Sequence, residues 1–463
     1  MMKTMSNKPY ISASLALATS ALLGHSAAAE EGWQVDSGLL IYNEADGRVQ
    51  AVEPVIAVTR NFEDESSIST RLTLDTLSGA SPNGAAVAAA PQTFTSASGI
   101  ARLEQAEDDG DDHEIEEYGD RAYYVTPAGD TPYDENFEDN RTTASVSWLR
   151  PLNNGFKLNL GGAYSTEGDF TSLSVNAAIS KDLAQNNTTL SLGMNLEFDE
   201  IAPDTGIPEP MTSIIAAESA GSTDTKQVTD VVFGITQVMT RRWVSQLNFS
   251  VSQSTGHHDD PYKFLTVADQ GNLIEDPNDN GLTGVTTYLY LYEHRPEERQ
   301  KMSIYWQNKV AVYSDDAVDI SYRYMTDDWG IDSNTLDLTY HLNVRGLFYL
   351  EPHYRFYEQS AADFYTPYLE LGTDVVTAGT SITSLTEFAS ADPRLGAFSA
   401  DTYGLKIGVP FMDHHEVSLS YETYSQTDKN EYKSAPAGSD LDGQDQFAEL
   451  SANWLQLGYS VRW

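Results

Sequence analysis

Most of this chain consists of short segments in which apolar and polar residues alternate. In the stretch TTLSLGMNLEFDE, Leu192, Met194 and Phe198 fall on one face of an extended strand, and polar residues fall on the other. About sixteen such segments follow the first thirty residues, each near the length that a tilted strand needs to cross a bilayer. The alternation predicts antiparallel β-strands with one apolar and one polar face.

The connections between these segments are short and long in turn. One set is tight, with examples such as NNG and RR, and the other set holds every long insertion: roughly 77–139, 200–226, 256–298, 359–398 and 427–446. Outer-membrane barrels have this asymmetry, with short periplasmic turns and long extracellular loops. A soluble β-sandwich produces similar alternation but has no reason to place its long loops on every second connection. The sequence therefore predicts an all-β transmembrane antiparallel β-barrel of about 16 strands, with long acidic extracellular loops.

Both ends of the chain agree with this fold. Residues 1–29 combine lysines, a short apolar run and the small-residue stretch SAAAEE, which is typical of a secretory signal peptide, so we expect a single barrel over 30–463. The last strand alternates down to Trp463, with Tyr459 and Val461 on the same face. This ending resembles the signal that the barrel-insertion machinery reads in outer-membrane proteins. We therefore expect a location in the outer membrane of a Gram-negative bacterium, in contact with lipid and lipopolysaccharide.

Composition excludes several classes of protein. The formal net charge is −42, which excludes binding to nucleic acid, and the chain has no Cys, which excludes disulfides. Mean hydropathy is −0.39, as expected for a barrel in which only every second strand residue faces lipid. Aromatic residues make up 11% of the chain, and Trp329 in MTDDWG is expected to belong to an interfacial aromatic girdle.

Charged residues on the polar faces of the strands are the candidates for lining the lumen. Both signs are present, so the lumen is either wet, with charges that tune selectivity, or braced by ion pairs around a plug. The candidates are Arg71, Asp75, Lys309, Asp319, Arg323, Asp337, Glu351, Arg355 and Glu422.

The most acidic segment is EQAEDDGDDHEIEEYGD, residues 104–120, where ten of seventeen residues are Asp or Glu. Carboxylates at this density repel and extend the chain. Oxygen-rich clusters also suit Ca²⁺ or Mg²⁺, which makes Asp108, Asp109, Asp111 and Asp112 candidate ligands, or candidate bridges to lipopolysaccharide phosphates. The alternative is a solvated loop without a specific site, and no other cofactor is expected.

Two further stretches contain metal-ligand residue types. EDPNDNG starts like a calcium loop at Asp276 but has Thr287 at the twelfth position instead of a bidentate Glu, so turn formation explains it better. GHHDD places His257 and His258 side by side, and only a loop conformation could bring adjacent side chains onto one metal. No spacing of Ser, His and acid selects a nucleophile, so the chain is not expected to be an enzyme.

Several stretches resemble an uncharacterised family of bacterial outer-membrane proteins that carries a domain-of-unknown-function label. They are DTLSGASPNGA (75–85), VFGITQVMTRR (232–242), DPYK (260–263), LYEHRPEERQK (291–301), SYRYMTDDWGIDSNTLDL (321–338) and EPHYRFYEQSAADFY (351–365). The resemblance covers nearly the whole chain after the signal. It implies a barrel fold, names no activity, and implies a link to metal or redox chemistry of the envelope.

The predicted function is a porin-like channel or a binder for a small cationic or neutral solute. The reason is that an acidic mouth raises the local concentration of cations and repels anions. The alternative is a closed barrel with a structural or partner-docking role in the envelope, with a periplasmic partner that the sequence does not identify.

Overall fold

The computed structural model describes residues 31–79, 81–96, 122–134, 138–203, 206–215, 219–277, 287–313, 315–378, 381–412, 414–432 and 434–463. The expected signal peptide and the acidic segment 104–120 lie outside the described residues. The assignments of Asp108, Asp109, Asp111 and Asp112 as metal ligands therefore stay predictions. Within the described ranges, no helix is long and apolar enough to cross a membrane.

Sixteen strands form a closed antiparallel barrel, which confirms the predicted fold class. Each strand pairs with its neighbours along the chain, and β16 pairs with β1 to close the cylinder. The strands are β1 Gly32–Glu44, β2 Gln50–Asn61, β3 Ser67–Ser78, β4 Glu138–Pro151, β5 Phe156–Thr166, β6 Phe170–Leu183, β7 Thr188–Ile201, β8 Asp224–Thr240, β9 Trp243–Gly256, β10 Glu298–Ala311, β11 Ala317–Asp327, β12 Asp332–Val344, β13 Phe348–Gln359, β14 Phe398–Phe411, β15 His415–Asp428 and β16 Ser451–Arg462.

The outer surface of the barrel is an apolar belt. Alternate residues of a strand point to opposite faces, and one set is apolar and exposed in strand after strand. In the middle of the strands, Leu72, Leu192, Phe249, Ile304 and Leu336 are between 38% and 50% exposed. A continuous exposed apolar surface of this kind has no counterpart on a soluble monomer. The intervening residues, which are mostly polar, point into the lumen.

Aromatic residues border the belt at both ends. At the end with the short turns they are Trp33, Phe62, Trp243, Tyr313, Phe411 and Trp463. At the end with the long loops they are Tyr164, Phe198, Tyr324 and Tyr403. Two aromatic girdles around an apolar band are the surface pattern of a barrel that spans a bilayer.

Trp463 takes part in closing the barrel. The backbone N–H of Trp33 donates to the carbonyl of Trp463 at 2.7 Å, and the N–H of Trp463 donates back to Trp33 at 3.0 Å. Tyr459 points outward and its hydroxyl lies 2.8 Å from His415 Nδ1. The final strand is therefore fully paired, and the reading of Tyr459, Val461 and Trp463 by the insertion machinery stays a prediction.

The two ends of the barrel differ in their connections. At one end every turn is two to five residues long, from 62–66 to 412–414. The other end carries the five long loops, 79–137, 202–223, 257–297, 360–397 and 429–450, which lie close to the predicted insertions. These loops contain small sheets built from Gln92–Ser96 with Ala122–Thr126, from Ile207–Pro208 with Ser219–Gly221, from Phe264–Asp269 with Asn272–Leu273, Tyr290–Tyr292 and Leu369–Glu370, and from Val375–Ala378 with Ser381–Leu385. Single 3-10 turns occur at Ala45–Gly47, Asn153–Gly155 and Pro393–Leu395.

The two faces of β3 give a direct test of which side contacts hydrocarbon. Leu72 lies on the apolar belt and Thr73 beside it points into the lumen. We expect Leu72→Arg to lower the free energy of unfolding in liposomes by about 2–4 kcal/mol, because a cation at the mid-bilayer is poorly solvated. Thr73→Arg is the matched control and should have a much smaller effect. Equal losses in a denaturant titration of the two variants would contradict this assignment of faces.

Candidate functional site

The long loops fold into a compact layer with its own apolar core, which we call the loop cap: the described residues of 79–137, 202–223, 257–297, 360–397 and 429–450. Leu265, Val267, Leu291, Leu369 and Val375 are at most 1% exposed in this core. Burial of such side chains stabilises the loops by about 1.5–3 kcal/mol each. The long loops are therefore packed structure in these ranges, which their sequence patterns did not predict.

The loop cap reaches across the mouth of the barrel. The N–H of Ala86 donates to Thr266 Oγ1 at 2.8 Å, and the N–H of Ala89 donates to the carbonyl of Asp440 at 2.8 Å. These loops follow β3, β9 and β15, which are widely separated around the cylinder. Loops from such distant strands can contact each other only by crossing the opening.

A buried ion network lies beneath the apolar core. Arg394 bonds Asp392 Oδ1 through Nε at 2.7 Å and Asp260 Oδ2 through Nη2 at 2.9 Å. Arg295 Nη2 lies 2.8 Å from Asp392 Oδ2 and 2.7 Å from Glu293 Oε1. Glu293 Oε1 also accepts from the backbone N–H of Asp260 at 2.7 Å. These five side chains, which we call the cap ion network, join the loops 257–297 and 360–397.

The arginines of the cap ion network determine whether its carboxyl groups are ionised. Burial alone would raise the pKa of Asp392, but Arg394 and Arg295 hold that pKa well below its usual range. Burial raises the pKa of Glu293 to about 7, against the opposing effect of Arg295. Asp392 is therefore a permanent anion that depends on its two arginines.

Two further contacts attach the loop 257–297 to its neighbours. Lys263, which is 2% exposed, donates from Nζ to Ser81 Oγ at 2.9 Å and to the carbonyl of Pro82 at 2.6 Å. The Tyr262 hydroxyl donates to Asp169 Oδ2 at 2.5 Å. The motif DPYK thus connects the cap to the β5–β6 turn and to the loop after β3.

Beneath the cap, the barrel encloses a chamber of about 990 Å³. Its walls come from inward-facing strand residues and its roof from cap residues such as Lys263, Arg295 and Arg394. Among the described residues, the lining carries ten Lys or Arg side chains and eight Asp or Glu side chains. The lining is therefore slightly cationic in a chain whose formal net charge is −42.

Most of the predicted lumen acids are ion-paired. Lys309 Nζ lies 3.0 Å from Asp319. Glu351 lies 2.9 Å from His341 Nδ1 and 3.4 Å from Lys406 Nζ.

Two more of these acids share a single histidine as their partner. His353 lies 3.1 Å from Asp337 and 3.4 Å from Glu422. The lumen therefore contains both features considered from the sequence, ion-paired braces and an open space.

The predicted lumen arginines have a different environment. Arg323 on β11 and Arg355 on β13 both line the chamber, and no hydrogen bond or ion pair joins either of them to a described residue. Arg71 and Asp75 lie on the inward face of β3 and do not line the chamber. The structure therefore brings together Arg323, Arg355 and Glu422 on the chamber wall.

The two metal-ligand motifs do not form metal sites in the described ranges. His257 Nδ1 lies 3.1 Å from Asp224, whereas His258 Nε2 lies 2.8 Å from Ser254 Oγ. No group of three or more potential ligands occurs among the described residues. In EDPNDNG, Asp276 is buried, its N–H donates to the carbonyl of Thr287 at 2.9 Å, and residues 278–286 lie outside the described ranges.

Trp329 is not in the aromatic girdle, so that prediction was wrong. The side chain is 4% exposed, and its ring lies 4.3 Å from the Arg299 guanidinium and 5.4 Å from the His258 ring. Its Nε1–H donates to the carbonyl of Glu298 at 2.8 Å. The β11–β12 turn folds inward, so an aromatic residue near a strand end packs inside the mouth rather than against lipid.

Sequence reasoning identified Arg323 and Arg355 as lumen residues but missed other cations of the chamber. Arg295, Arg299 and Lys301 all belong to the stretch LYEHRPEERQK, and Lys263 belongs to DPYK. Both stretches were noticed only as family resemblances. Basic residues in such motifs of a strongly acidic chain were the available signal.

The cap ion network gives a test of what holds the cap down. We expect Arg394→Gln to lower the free energy of cap opening by about 3 kcal/mol, because it leaves buried carboxylates without a partner. The measurement is hydrogen exchange of peptides from 257–277 and 387–397. Lys309→Gln, which removes one member of an exposed ion pair, is the control and should cost no more than about 1 kcal/mol. Equal protection in the two variants would contradict a role for the network.

The Tyr262–Asp169 contact predicts a pH dependence. Burial raises the pKa of Asp169 from 3.8 to about 6. The folded state therefore holds a proton that the open state releases, so the free energy of opening should fall as the pH rises from about 4 to about 6. Asp169→Asn keeps an acceptor for Tyr262 and removes the titration, so the slope measured by hydrogen exchange of 257–277 should decrease. An unchanged slope would contradict this assignment.

Among solved structures, the chain is similar to several outer-membrane proteins. One is a mutant of the ferric enterobactin receptor PfeA from Pseudomonas aeruginosa, with TM-score 0.40, 10% identity, and coverage of 87% of this chain and 54% of the receptor. Another is a bacterial polysaccharide outer membrane secretin, with TM-score 0.41, 8% identity, and coverage of 94% and 99%. A third is the CymD monoaromatic hydrocarbon channel, with TM-score 0.36, 8% identity, and coverage of 94% and 89%. This chain thus spans about half the length of the receptor, and these identities are too low to transfer a ligand.

The sequence comparisons place the chain in a family without giving it an activity. No curated protein matches it. A family model described as "Protein of unknown function (DUF3570)" matches residues 12–461, nearly the whole chain and all sixteen strands apart from the last residue of β16. This agrees with the resemblance seen in the sequence motifs, and the chain belongs to the DUF3570 family.

Proposed function

We propose that this protein spans the outer membrane of a Gram-negative bacterium and binds a small solute in its capped chamber on the way through the barrel. The observation that carries the proposal is the chamber of about 990 Å³ inside a closed cylinder. Support for the membrane comes from the apolar belt and its two aromatic girdles. In this setting the surrounding partners are lipid and lipopolysaccharide, with the insertion machinery acting during assembly.

The size of the chamber favours selective binding over general diffusion. Sixteen strands leave an aqueous channel unless something fills it. Here the loop cap covers the mouth and leaves a space of the size that holds one small molecule, since ligand pockets measure about 300–1,000 Å³. The cap ion network joins two of the loops over the mouth, so we infer that its separation opens a route from the loop side and that the cap acts as a gate.

The second candidate is a closed barrel with a structural or partner-docking role. The specific observation in its favour is the cap itself, because a fully packed apolar core and a buried ion network suit a permanent lid. The two candidates differ in whether the cap ever opens under conditions in which the barrel is inserted.

Single-channel recording separates the two candidates. We expect the wild-type protein in planar bilayers to show brief conductance steps, and Arg394→Gln to spend a larger fraction of time open, since the cap loses a buried ion pair. Lys309→Gln is the control, because the ion pair of Lys309 with Asp319 lies on the barrel wall and not in the cap. This variant should be open for the same fraction of time as the wild-type protein. Silence from all three proteins, with insertion shown by protease protection, would favour the closed barrel.

A further inference from the structure

One part of the chamber wall carries cations that no described residue neutralises. Strand register places Arg323 opposite Thr335, and Thr335 opposite Tyr357. It places Arg355 opposite Thr402, in the same inward-facing set. The two arginines are thus two strands apart and offset by two residues, which corresponds to about 12 Å between Cα atoms. Both guanidinium groups can reach the space between them.

The carboxylates nearby are already engaged. Asp337, which is opposite Arg355 in the register, lies 3.1 Å from His353 Nε2, and Glu422 lies 3.4 Å from His353 Nδ1. No described residue forms an ion pair or a hydrogen bond with Arg323 or Arg355. Arg323 and Arg355 carry like charges at nearby positions of the wall and therefore repel each other. Two like charges held together in a chamber are stabilised by an anion from outside the chain.

Other arginines of the chamber lining differ from Arg323 and Arg355, because they have carboxylate partners. Arg299 is bound to Asp327, with Nε at 2.8 Å from Oδ2, and stacks on Trp329. Arg141 is bound to Glu167, with Nε at 2.9 Å from Oε2. Among the described residues, carboxylates therefore pair with Arg299 and Arg141 on the chamber wall, whereas none pairs with Arg323 or Arg355.

A neutral donor stands beside the pair. Thr402, opposite Arg355, is in turn opposite Tyr424 on β15. The Tyr424 hydroxyl accepts from Gln426 Nε2 at 3.0 Å, and no described residue accepts its own hydrogen. Tyr424 can therefore donate to a ligand held by Arg355.

We propose that Arg323, Arg355 and Tyr424 bind the oxyanion group, carboxylate or phosphate, of a small solute in the chamber. The inference rests on the proposed function for the route by which the solute arrives. Arginine suits this task because its planar fork of donors matches a carboxylate or a phosphate in two parallel hydrogen bonds. Lys301, also on the chamber wall and also without an ion pair among the described residues, lies between the cap and the two arginines.

The test is equilibrium dialysis of the full chain in detergent micelles, with labelled succinate and labelled inorganic phosphate as separate probes at low ionic strength. We expect at least one probe to bind, and Arg323→Gln and Arg355→Gln each to weaken that binding about tenfold or more, since each loses charged hydrogen bonds. Tyr424→Phe should cause a smaller loss. Arg71→Gln is the matched control, because Arg71 also points inward but does not line the chamber.

The outcomes are distinguishable from one another and from the channel proposal. Binding of succinate alone assigns a carboxylate, and binding of phosphate alone assigns a phosphate. No binding of either probe by a protein with intact barrel circular dichroism, or equal losses in Arg71→Gln and Arg355→Gln, overturns the site. Binding that depends on both arginines, together with silence in planar bilayers, keeps the site and rejects passage through the barrel.

Discussion

The closed ladder of backbone hydrogen bonds is the constraint on which the rest of this structure depends. In hydrocarbon no water satisfies an unpaired N–H or C=O, so every strand needs two neighbours and the first must meet the last. The pairing of β1 with β16, completed by the reciprocal bonds between Trp33 and Trp463, meets that requirement. An open edge at that seam would expose a row of polar groups to lipid.

Closure also decides where charge can be placed. Side chains alternate strictly between the lipid face and the lumen face, so a charged residue in the middle of a strand must point inward. The chain satisfies most of these inward charges with partners on the adjacent strand, as in Lys309 with Asp319 and Lys226 with Asp199. Some inward charges have no partner among the described residues. These charges can contact solvent or a ligand, so they indicate where a ligand could bind.

The sequence predicted the barrel wall far better than the cap. A period of two is a local property, so the opposite directions of Leu72 and Thr73 can be inferred from a few neighbouring residues. The pairing of Lys309 with Asp319, which lie opposite each other, would also follow once the register of β10 and β11 is known. The cap differs because contacts such as Lys263 with Ser81 join loops nearly two hundred residues apart. No local pattern encodes those contacts, and Trp329 shows the consequence, since its position near a strand end indicated lipid while tertiary packing placed it inside.

The net charge of the whole chain is negative, whereas the chamber lining is slightly cationic. This difference affects which solutes such a barrel can select. A net charge of −42 concentrates cations near the chain, yet potentials from exposed charges fall off within about 8–10 Å at physiological ionic strength. Inside the chamber the nearest charges dominate, and there the described part of the lining has ten cationic and eight acidic side chains. Total charge therefore governs encounter at the mouth, whereas affinity at the proposed site depends on a few groups such as Arg323 and Arg355. Under the proposed function, a solute that passes both stages needs an anionic group for the chamber and enough apolar or neutral surface to approach an acidic exterior.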